Sequence, residues 1–146
     1  MKLKFASPKD EYKIKRLLAI SDLHHQDIKP SHLKHFLLAW DESSLIGVVG
    51  LEVKDRCALL RSLAIDADHR DQGIASWLVG EIENYAASLK LNTLYLLTMT
   101  AESFFAKRGY RQTTRESAPE GIQATAEFTN MCPASAACML KHLKET

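Results

Sequence analysis

The segment between residues 57 and 98 constrains the fold more than any other part of the chain. Cys57 to Ile65 and Thr93 to Thr98 are short apolar runs that suit buried strands. Between them, apolar side chains recur at helical spacing from Ile74 to Lys90. Parallel strands of one sheet need a crossover connection, and a helix of this length supplies it. The pattern therefore predicts a strand, turn, helix and parallel strand, which is the repeating unit of an α/β fold.

The flanking sequence predicts further strands and helices. Ser7 followed by Pro8 signals a helix start that leads to an end near Ile20, because a small polar cap and a proline both suit the first turn. A polar turn at 41–44 separates two apolar runs and predicts antiparallel strands. Gly109 marks a helix end. The remaining predictions are strands over Leu3–Ala6, Leu33–Trp40, Leu45–Val53, Tyr110–Thr113 and Ala136–His142, and helices over Asp22–Asp27, Ala101–Arg108 and Pro119–Glu127.

Composition and charge exclude several classes of protein. Nineteen lysines and arginines against eighteen aspartates and glutamates leave a formal net charge of +1, with no basic block for a nucleic acid. The longest apolar runs stop far short of the roughly 20 residues of a membrane span. The first residues are charged and have no apolar stretch of signal-peptide length. We therefore expect one cytoplasmic domain over residues 1–146, without nucleic-acid or membrane partners.

The three cysteines, Cys57, Cys132 and Cys138, form no C-x-x-C pair. An odd number without paired spacing predicts free thiols rather than a disulfide framework or a zinc site. The histidines between residues 24 and 35 also lack a partner at an established ligand spacing. We therefore expect no bound metal.

A charged turn, Arg70 to Ala75, lies between the first strand and the helix of the central unit. A helix start offers free backbone N–H groups and the positive end of the peptide dipoles, which suit a diphosphate. Gly73 lacks the Cβ that would block close approach, Arg70 can reach an outer phosphate, and Ala75 is small. The same spacing, R-x-x-G-x-A, also occurs in ordinary loops before helices. Together with the surrounding strand and helix, it predicts a pyrophosphate-binding turn.

With this turn in place, the chain resembles the GNAT acetyltransferase family, whose acetyl-CoA site has a Q/R-x-x-G-x-G/A turn between the fourth strand and the third helix. The resemblance covers nearly the whole chain. It implies an α/β GNAT fold with a mixed central sheet of about six to seven strands and helices on both faces. It also implies that acetyl-CoA is the co-substrate and that the acetyl group moves directly to an amine.

The same resemblance implies roles for individual residues. The backbone of Leu63, Ala64 and Ile65 is expected to bind the pantetheine arm as a neighbouring strand would. One of these three amides is expected to stabilise the oxyanion that forms when the amine attacks the thioester. The other expected acetyl-CoA contacts are Arg70, Asp71, Gln72, Gly73, Ile74, Ala75, Ser76, Thr98, Phe104, Phe105 and Arg108.

Four sequence blocks resemble one branch of the family more closely. Leu59–Leu63, Leu94–Thr98, Ala101–Phe105 and Met131–Ala136 are similar to the acetyltransferases encoded in bacterial arsenic-resistance operons. The tail from Cys132 to Lys141 is also similar to the acetyltransferase domain of N-acetylglutamate synthases. Both branches imply an amino-acid-like acceptor: an arsenic or phosphorus analogue of glutamate, or glutamate itself. The family also implies a possible homodimer, with the final strand as a contact.

One position departs from the family pattern. Many GNAT enzymes place a tyrosine four residues before a Gly-Phe/Tyr pair, where it protonates the departing thiolate. This chain has Phe105 before Gly109 and Tyr110. Phe105 cannot act as an acid, so water is an alternative proton source. Close alignment of the amine and the thioester can then lower the barrier to acetyl transfer. The missing tyrosine also leaves open a CoA-binding sensor without catalysis.

Two charged residues within apolar strands are the candidates for binding and deprotonating the acceptor amine. Glu52 is the candidate base that removes a proton from the attacking ammonium, although a solvent-facing strand end explains it equally. Arg61 can clamp a pair of substrate oxygens, or it can pair structurally with Glu52. The expected acceptor contacts are Arg61, Ser62, Phe128 and Cys132.

Overall fold

The computed structural model describes residues 1–143, apart from the side chains at positions 130 and 131. In this range seven strands form one mixed sheet in the order β1-β2-β3-β4-β5-β7-β6, with helices flanking it. The pair β4 and β5 is parallel, as predicted, whereas β1–β2, β2–β3, β5–β7 and β6–β7 are antiparallel. The strands are β1 Lys2–Phe5, β2 Phe36–Asp41, β3 Ser44–Lys54, β4 Cys57–Ile65, β5 Thr93–Thr98, β6 Arg111–Thr113 and β7 Ala137–His142.

The first helix begins where the sequence predicted. The carboxylate of Asp10 accepts a hydrogen bond from the backbone N–H of Ser7 at 2.9 Å, which satisfies a donor at the helix start. None of the helices between residues 1 and 143 combines the length and apolar character that crossing a bilayer requires. The α-helices are α1 Glu11–Ile20, α2 Ile74–Ser88, α3 Glu102–Ala106 and α4 Glu120–Gln123, with 3₁₀ turns at Pro8–Asp10, Pro30–His35, Ala67–His69 and Arg115–Ser117 and a π-helical turn at Glu127–Met131.

The chain divides into two compact units. The first unit contains residues 1–52 and 61–85. Its core is fixed in part by Gly50 on β3, because a Cβ there would lie 2.4 Å from the ring of Phe36 on β2. Burial of its apolar core side chains stabilises the unit by about 25 cal/mol for each Å² of surface removed from water. Its core side chains are Ile14, Leu17, Leu18, Ile28, Leu33, Phe36, Leu38, Val48 and Ala64.

The second unit contains residues 53–60 and the chain from residue 86 onward. Here the start of β4 pairs in parallel with β5, from Cys57 opposite Thr93 to Leu59 opposite Tyr95. The final strand β7 lies between β5 and β6. The core side chains of this unit are Cys57, Leu59, Tyr95, Ala118, Ile122, Phe128, Cys138 and Leu140.

Some predicted elements are wrong. No helix forms over Asp22–Asp27, because Asp22 adopts a left-handed φ of 59° and the following residues form turns. Residues 33–35 belong to a 3₁₀ turn, so β2 starts at Phe36. Helix α4 covers only four residues of the predicted 119–127 helix. The expected dimer contact through β7 is wrong at residues 138–140, because β6 already pairs with them. Homodimerisation itself stays a prediction.

Candidate functional site

A backbone irregularity interrupts β4 at Ser62. This residue has a left-handed φ of 63°, which only a few per cent of non-glycine residues adopt. A left-handed residue inside a strand bends the chain and redirects the side chains that follow. Ala64 after it is buried, whereas Leu63 and Ile65 are only half-buried. The stretch predicted to bind pantetheine therefore begins directly after a break in the regular strand.

The turn before α2 contains two residues in the left-handed region of backbone conformation. Asp71 has a φ of 63° and Gly73 a φ of 80°, so the backbone turns twice in the left-handed region. The N–H of Trp77 donates to the carbonyl of Gly73 at 3.0 Å, so the residues just after Gly73 form the first turn. The backbone N–H groups of a first turn have no acceptor within their own helix. A Cβ at Gly73 would meet no atom within 4 Å, which leaves open space beside these donors.

His69 ties the end of β4 to this turn. Its Nδ1 lies 2.9 Å from Oδ2 of Asp66, and its Nε2 lies 3.6 Å from a carboxylate oxygen of Asp41. The hydrogen bond with Asp66 raises the pKa of His69 above its ordinary value, against a smaller opposing effect of desolvation. The adjacent Arg70 is exposed, and its Nε–H donates to the carbonyl of Ile65 at 3.4 Å. Both contacts fix the path of the chain into the turn.

Arg61 lies at the centre of a charged cluster with Asp27 and Glu52. Its side chain is completely buried. Nη1 donates to Oδ2 of Asp27 at 2.5 Å and to Oε1 of Glu52 at 2.6 Å, and Nη2 donates to Oδ1 of Asp27 at 2.8 Å. Nε donates to the hydroxyl of Ser62 at 3.0 Å. The guanidinium is thus held by both carboxylates and by the residue at the break in β4.

The two carboxylates of this cluster differ in their surroundings. Burial alone would raise the pKa of Asp27, but the hydrogen bonds and charge of Arg61 outweigh it and hold that pKa below the ordinary 3.8. Glu52 makes a single hydrogen bond within residues 1–143, through Oε1. Since every fully buried side-chain oxygen in that range has a partner, its Oε2 is reached by solvent. Glu52 therefore presents Oε2 to solvent while Arg61 holds Oε1.

Replacing Arg61 with methionine is expected to destabilise the protein by about 3–5 kcal/mol, because two largely buried carboxylates lose their counter-ion. The side chains of Asp27 and Glu52 are only 18% and 11% exposed, so water compensates little of this loss. Urea unfolding followed by circular dichroism measures the change. Arg56→Met, at an exposed position in the turn before β4, is the control and should change stability by less than about 0.5 kcal/mol. Equal stability of the two variants would contradict the structural role of Arg61.

In the second unit, the other expected acetyl-CoA contacts lie on α3 or next to it, with Thr98 at the end of β5 and Arg108 after the helix. The guanidinium of Arg108 lies 3.6 Å from the ring centroid of Phe104 and donates to its carbonyl at 2.8 Å. Phe105 is buried and packs edge-on against Phe104 and Tyr110. The hydroxyl of Thr98 accepts a hydrogen bond from the N–H of Ala101 at 2.9 Å, just before α3 begins. A buried phenylalanine ring has no proton to give, so the position that usually holds the acid is occupied by a packing residue.

The expected acceptor contacts of the second unit lie in the segment before β7. Phe128 belongs to the core and is 8% exposed. Cys132 is half-buried, and its Sγ lies 3.6 Å from Oε1 of the buried Glu127. The guanidinium of Arg115 donates to the carbonyls of Phe128 and Pro133 and so holds both ends of this segment. Most of the Phe128 ring is covered by protein, and substrate contact by Phe128 or Cys132 stays a prediction.

The structure groups some predicted site residues and adds one that sequence reasoning missed. Glu52, Arg61 and Ser62 lie together in the first unit, as the alternative of structural pairing predicted. Asp27, 34 residues before Arg61, is the missed member. A buried arginine in an apolar strand indicates that carboxylates must surround it, but spacing does not reveal which. Roles in binding and catalysis for the predicted residues stay predictions.

Cys57, Cys132 and Cys138 are free, and Cys57 and Cys138 are buried. Burial raises the pKa of both buried thiols, which makes them poor nucleophiles. Among the residues that the structure describes, no group of three or more His, Cys, Asp and Glu side chains could hold a metal ion.

Solved structures share this fold at low sequence identity. N-acetylglutamate synthase from Neisseria gonorrhoeae, complexed with coenzyme A and N-acetyl-glutamate, matches with a TM-score of 0.85 and 19% identity over 99% of this chain and 35% of that chain. Rv2747 from Mycobacterium tuberculosis, in complex with CoA and NLQ, matches with a TM-score of 0.79 and 19% identity over 99% of this chain and 100% of that chain. This chain spans about a third of the length of the Neisseria protein.

Sequence comparisons identify the family. The model of the acetyltransferase (GNAT) family matches residues 5–110. An uncharacterized N-acetyltransferase of Chlorobaculum tepidum is 30% identical over 108 residues, which cover 73% of this chain and 67% of that protein. Residues 5–110 include the turn before α2 and the cluster of Asp27, Glu52 and Arg61. The chain therefore belongs to the GNAT family of N-acetyltransferases, whose acetyl donor is acetyl-CoA.

Proposed function

We propose that this protein transfers the acetyl group of acetyl-CoA to the primary amine of a small amino-acid-like substrate, with an arsenic- or phosphorus-containing analogue of glutamate as the leading acceptor. The observation that carries the proposal is the turn of residues 70–73, with two left-handed residues at the start of a 15-residue helix. Such a turn presents several backbone N–H groups to one anion. Acetyl-CoA is the acetyl donor of the GNAT family, and its pyrophosphate is the anion that this turn would bind.

The proposed donor site uses mainly backbone groups. The N–H groups of Gly73, Ile74 and Ala75 would bind the pyrophosphate, with Arg70 beside them as a mobile cation. Leu63, Ala64 and Ile65 would bind the pantetheine arm through their main chain, and one of their amides would bind the oxyanion. Asp71, Gln72, Ser76, Thr98, Phe104, Phe105 and Arg108 remain proposed acetyl-CoA contacts.

Glu52 is the proposed base. The acceptor amine is an ammonium at neutral pH and has no lone pair, so it must lose a proton before it attacks. The solvent-reached Oε2 of Glu52 can take that proton, directly or through one water. The amine nitrogen then bonds to the thioester carbon, and the carbon–sulfur bond breaks as the tetrahedral intermediate collapses. The second proton passes from the nitrogen to water, the CoA thiolate takes a proton from water, and Glu52 returns its proton to solvent.

The proton that the CoA thiolate takes up does not come from residue 105, where many GNAT enzymes have a tyrosine. Phe105 has no hydroxyl, and its ring is buried against Phe104 and Tyr110. A thiolate is a good leaving group because its conjugate thiol has a pKa of about 8.5. Alignment of amine and thioester can contribute several kcal/mol to the rate without an acid. Protonation by water after departure is therefore sufficient for turnover.

Two sets of observations support an amino-acid-like acceptor. The four sequence blocks similar to the arsenic-operon branch include Arg61 and Ser62, which lie beside Glu52. The Neisseria synthase, which shares the fold, binds N-acetyl-glutamate. Arg61 reaches substrate oxygens only if Asp27 or Glu52 moves aside, because its buried guanidinium already holds both. The geometry therefore supports Arg61 as the partner of Glu52 more strongly than as a clamp on substrate.

The acceptor is tested by measuring CoA release from acetyl-CoA with a panel of primary amines. The panel contains glutamate, its phosphinate and arsinate analogues, several neutral amino acids, and the N-acetylated form of each as a control without a free amine. We expect turnover with the analogues at a kcat/KM at least about tenfold above that for glutamate, equal to about 1.4 kcal/mol of discrimination. Preference for glutamate would support the amino-acid N-acetyltransferase alternative instead.

A CoA-binding sensor without catalysis is the second candidate, and the replacement of the usual tyrosine by Phe105 favours it. A sensor would bind acetyl-CoA in calorimetry but release no CoA with any amine of the panel. That result would overturn the proposed transferase activity. Release of CoA with a free amine, and none with its N-acetylated control, would exclude the sensor.

A further inference from the structure

A carboxylate from outside the sheet determines how the Arg61 guanidinium is oriented. Asp27 lies between α1 and β2 and accepts hydrogen bonds from both terminal nitrogens of Arg61, at 2.5 and 2.8 Å. Pairing at two points fixes the plane of the guanidinium as well as its position. The Ser62 hydroxyl accepts from Nε at 3.0 Å and holds the opposite side. Asp27 and Ser62 thus contact all three nitrogens of the guanidinium, whereas Glu52 contacts Nη1.

Glu52 depends on this orientation. Its Oε1 accepts from Nη1 of Arg61 at 2.6 Å, and Nη1 is also the nitrogen nearest to Asp27. One hydrogen bond lets a carboxylate pivot, so the direction of Oε2 depends on where Nη1 lies. A shift of Asp27 would move Nη1, and Glu52 would move with it.

We propose that Asp27 is a positioning residue that holds Glu52, through Arg61, in the orientation from which Glu52 deprotonates the acceptor amine. This inference rests on the proposed function, in which Glu52 is the base. Asp27 itself touches Arg61, and no contact of Asp27 with substrate is required.

The test uses Asp27→Asn, which keeps the shape of the side chain and removes its charge and two-point pairing. We expect kcat to fall about tenfold, since a general base contributes roughly 10²–10⁴ and only its placement is disturbed. The Kd for acetyl-CoA should stay within about twofold of the wild type, because Asp27 acts on the acceptor side of the reaction. Asp22→Asn is the matched control, because Asp22 is exposed on the same segment, and it should leave both values unchanged.

A double-mutant cycle separates positioning from a general structural effect. If Asp27 acts through Glu52, adding Asp27→Asn to Glu52→Gln should lower kcat by less than about twofold further. A further tenfold loss would show that Asp27 acts independently and would overturn the inference. Wild-type kcat in a folded Asp27→Asn protein would overturn it as well.

Arg61→Lys keeps the proposal testable if Asp27→Asn does not fold. Lysine keeps one positive charge but lacks the planar fork that holds two carboxylates. We expect this variant to lose kcat about tenfold, and to lose less than about twofold when combined with Glu52→Gln. Wild-type kcat in Arg61→Lys would overturn the inference. Absence of turnover in the wild-type protein would overturn the proposed function and the inference together, whereas turnover with an additive cycle overturns only the role of Asp27.

Discussion

Replacing Gly73 with valine is expected to raise the KM for acetyl-CoA by about 100-fold, equal to about 2.7 kcal/mol of lost binding. Gly73 has a φ of 80°, which a β-branched residue adopts only under strain. Its missing side chain also leaves open the space beside the first turn of α2. Valine would distort the turn and fill that space, so the backbone donors of the turn could no longer surround a pyrophosphate. Steady-state kinetics at saturating acceptor measure the change.

Gly80→Ala is the matched control for this experiment. Gly80 is exposed in the middle of α2, and a Cβ there meets no atom within 4 Å. Alanine in a helix interior should stabilise the protein by about 0.5–1 kcal/mol and leave the KM for acetyl-CoA unchanged. A folded Gly73→Val protein with a wild-type KM for acetyl-CoA would place the pyrophosphate elsewhere.

Replacing Glu52 with glutamine should lower kcat by about 10²- to 10⁴-fold, the usual contribution of a general base. Glutamine keeps an oxygen for the hydrogen bond with Arg61 but cannot take up a proton. The Kd for acetyl-CoA should change by less than about twofold, because the proposed donor site consists of other residues. Rates of CoA release at saturating acetyl-CoA and acceptor, measured on both proteins, provide the test.

Glu42→Gln serves as the control, because Glu42 is an exposed residue of the turn between β2 and β3. It should leave kcat and the Kd for acetyl-CoA unchanged. If Glu52→Gln retained the wild-type kcat, another group would be the base. In that case Glu52 would serve only as a counter-ion of Arg61.

The local pattern of the chain predicted most of the central fold. The bounds of β4 and β5 were predicted at Cys57–Ile65 and Thr93–Thr98, and both are confirmed. Apolar periodicity is reliable there because both strands are buried and short. The segment 22–35 was predicted less well, since its path is set by the ion pair of Asp27 with Arg61 and by the left-handed Asp22. Neither interaction leaves a periodic signal.

The sequence predicted the turn before α2 more completely than it predicted the cluster around Arg61. The turn at Arg70 to Ala75 is local, so six consecutive letters predict both its position and its shape. The cluster around Arg61 is formed by three distant parts of the chain. The sequence predicted the pairing with Glu52 because the two residues lie on adjacent strands. Asp27 could not be predicted, because its contact depends on the folded path of an irregular segment.

The two left-handed residues before α2 have a consequence for the energetics of binding. Their backbone angles are set by the fold, so the turn has its shape before any anion arrives. The entropy cost of ordering this segment is part of the free energy of folding. It therefore does not reduce the affinity of the turn for an anion. Association at such a preformed surface requires no slow rearrangement, which favours rapid capture and release of the nucleotide end. The proposed donor end of the reaction would then bind without reshaping of the turn, just as the two-point pairing of Asp27 with Arg61 holds the proposed acceptor end in place.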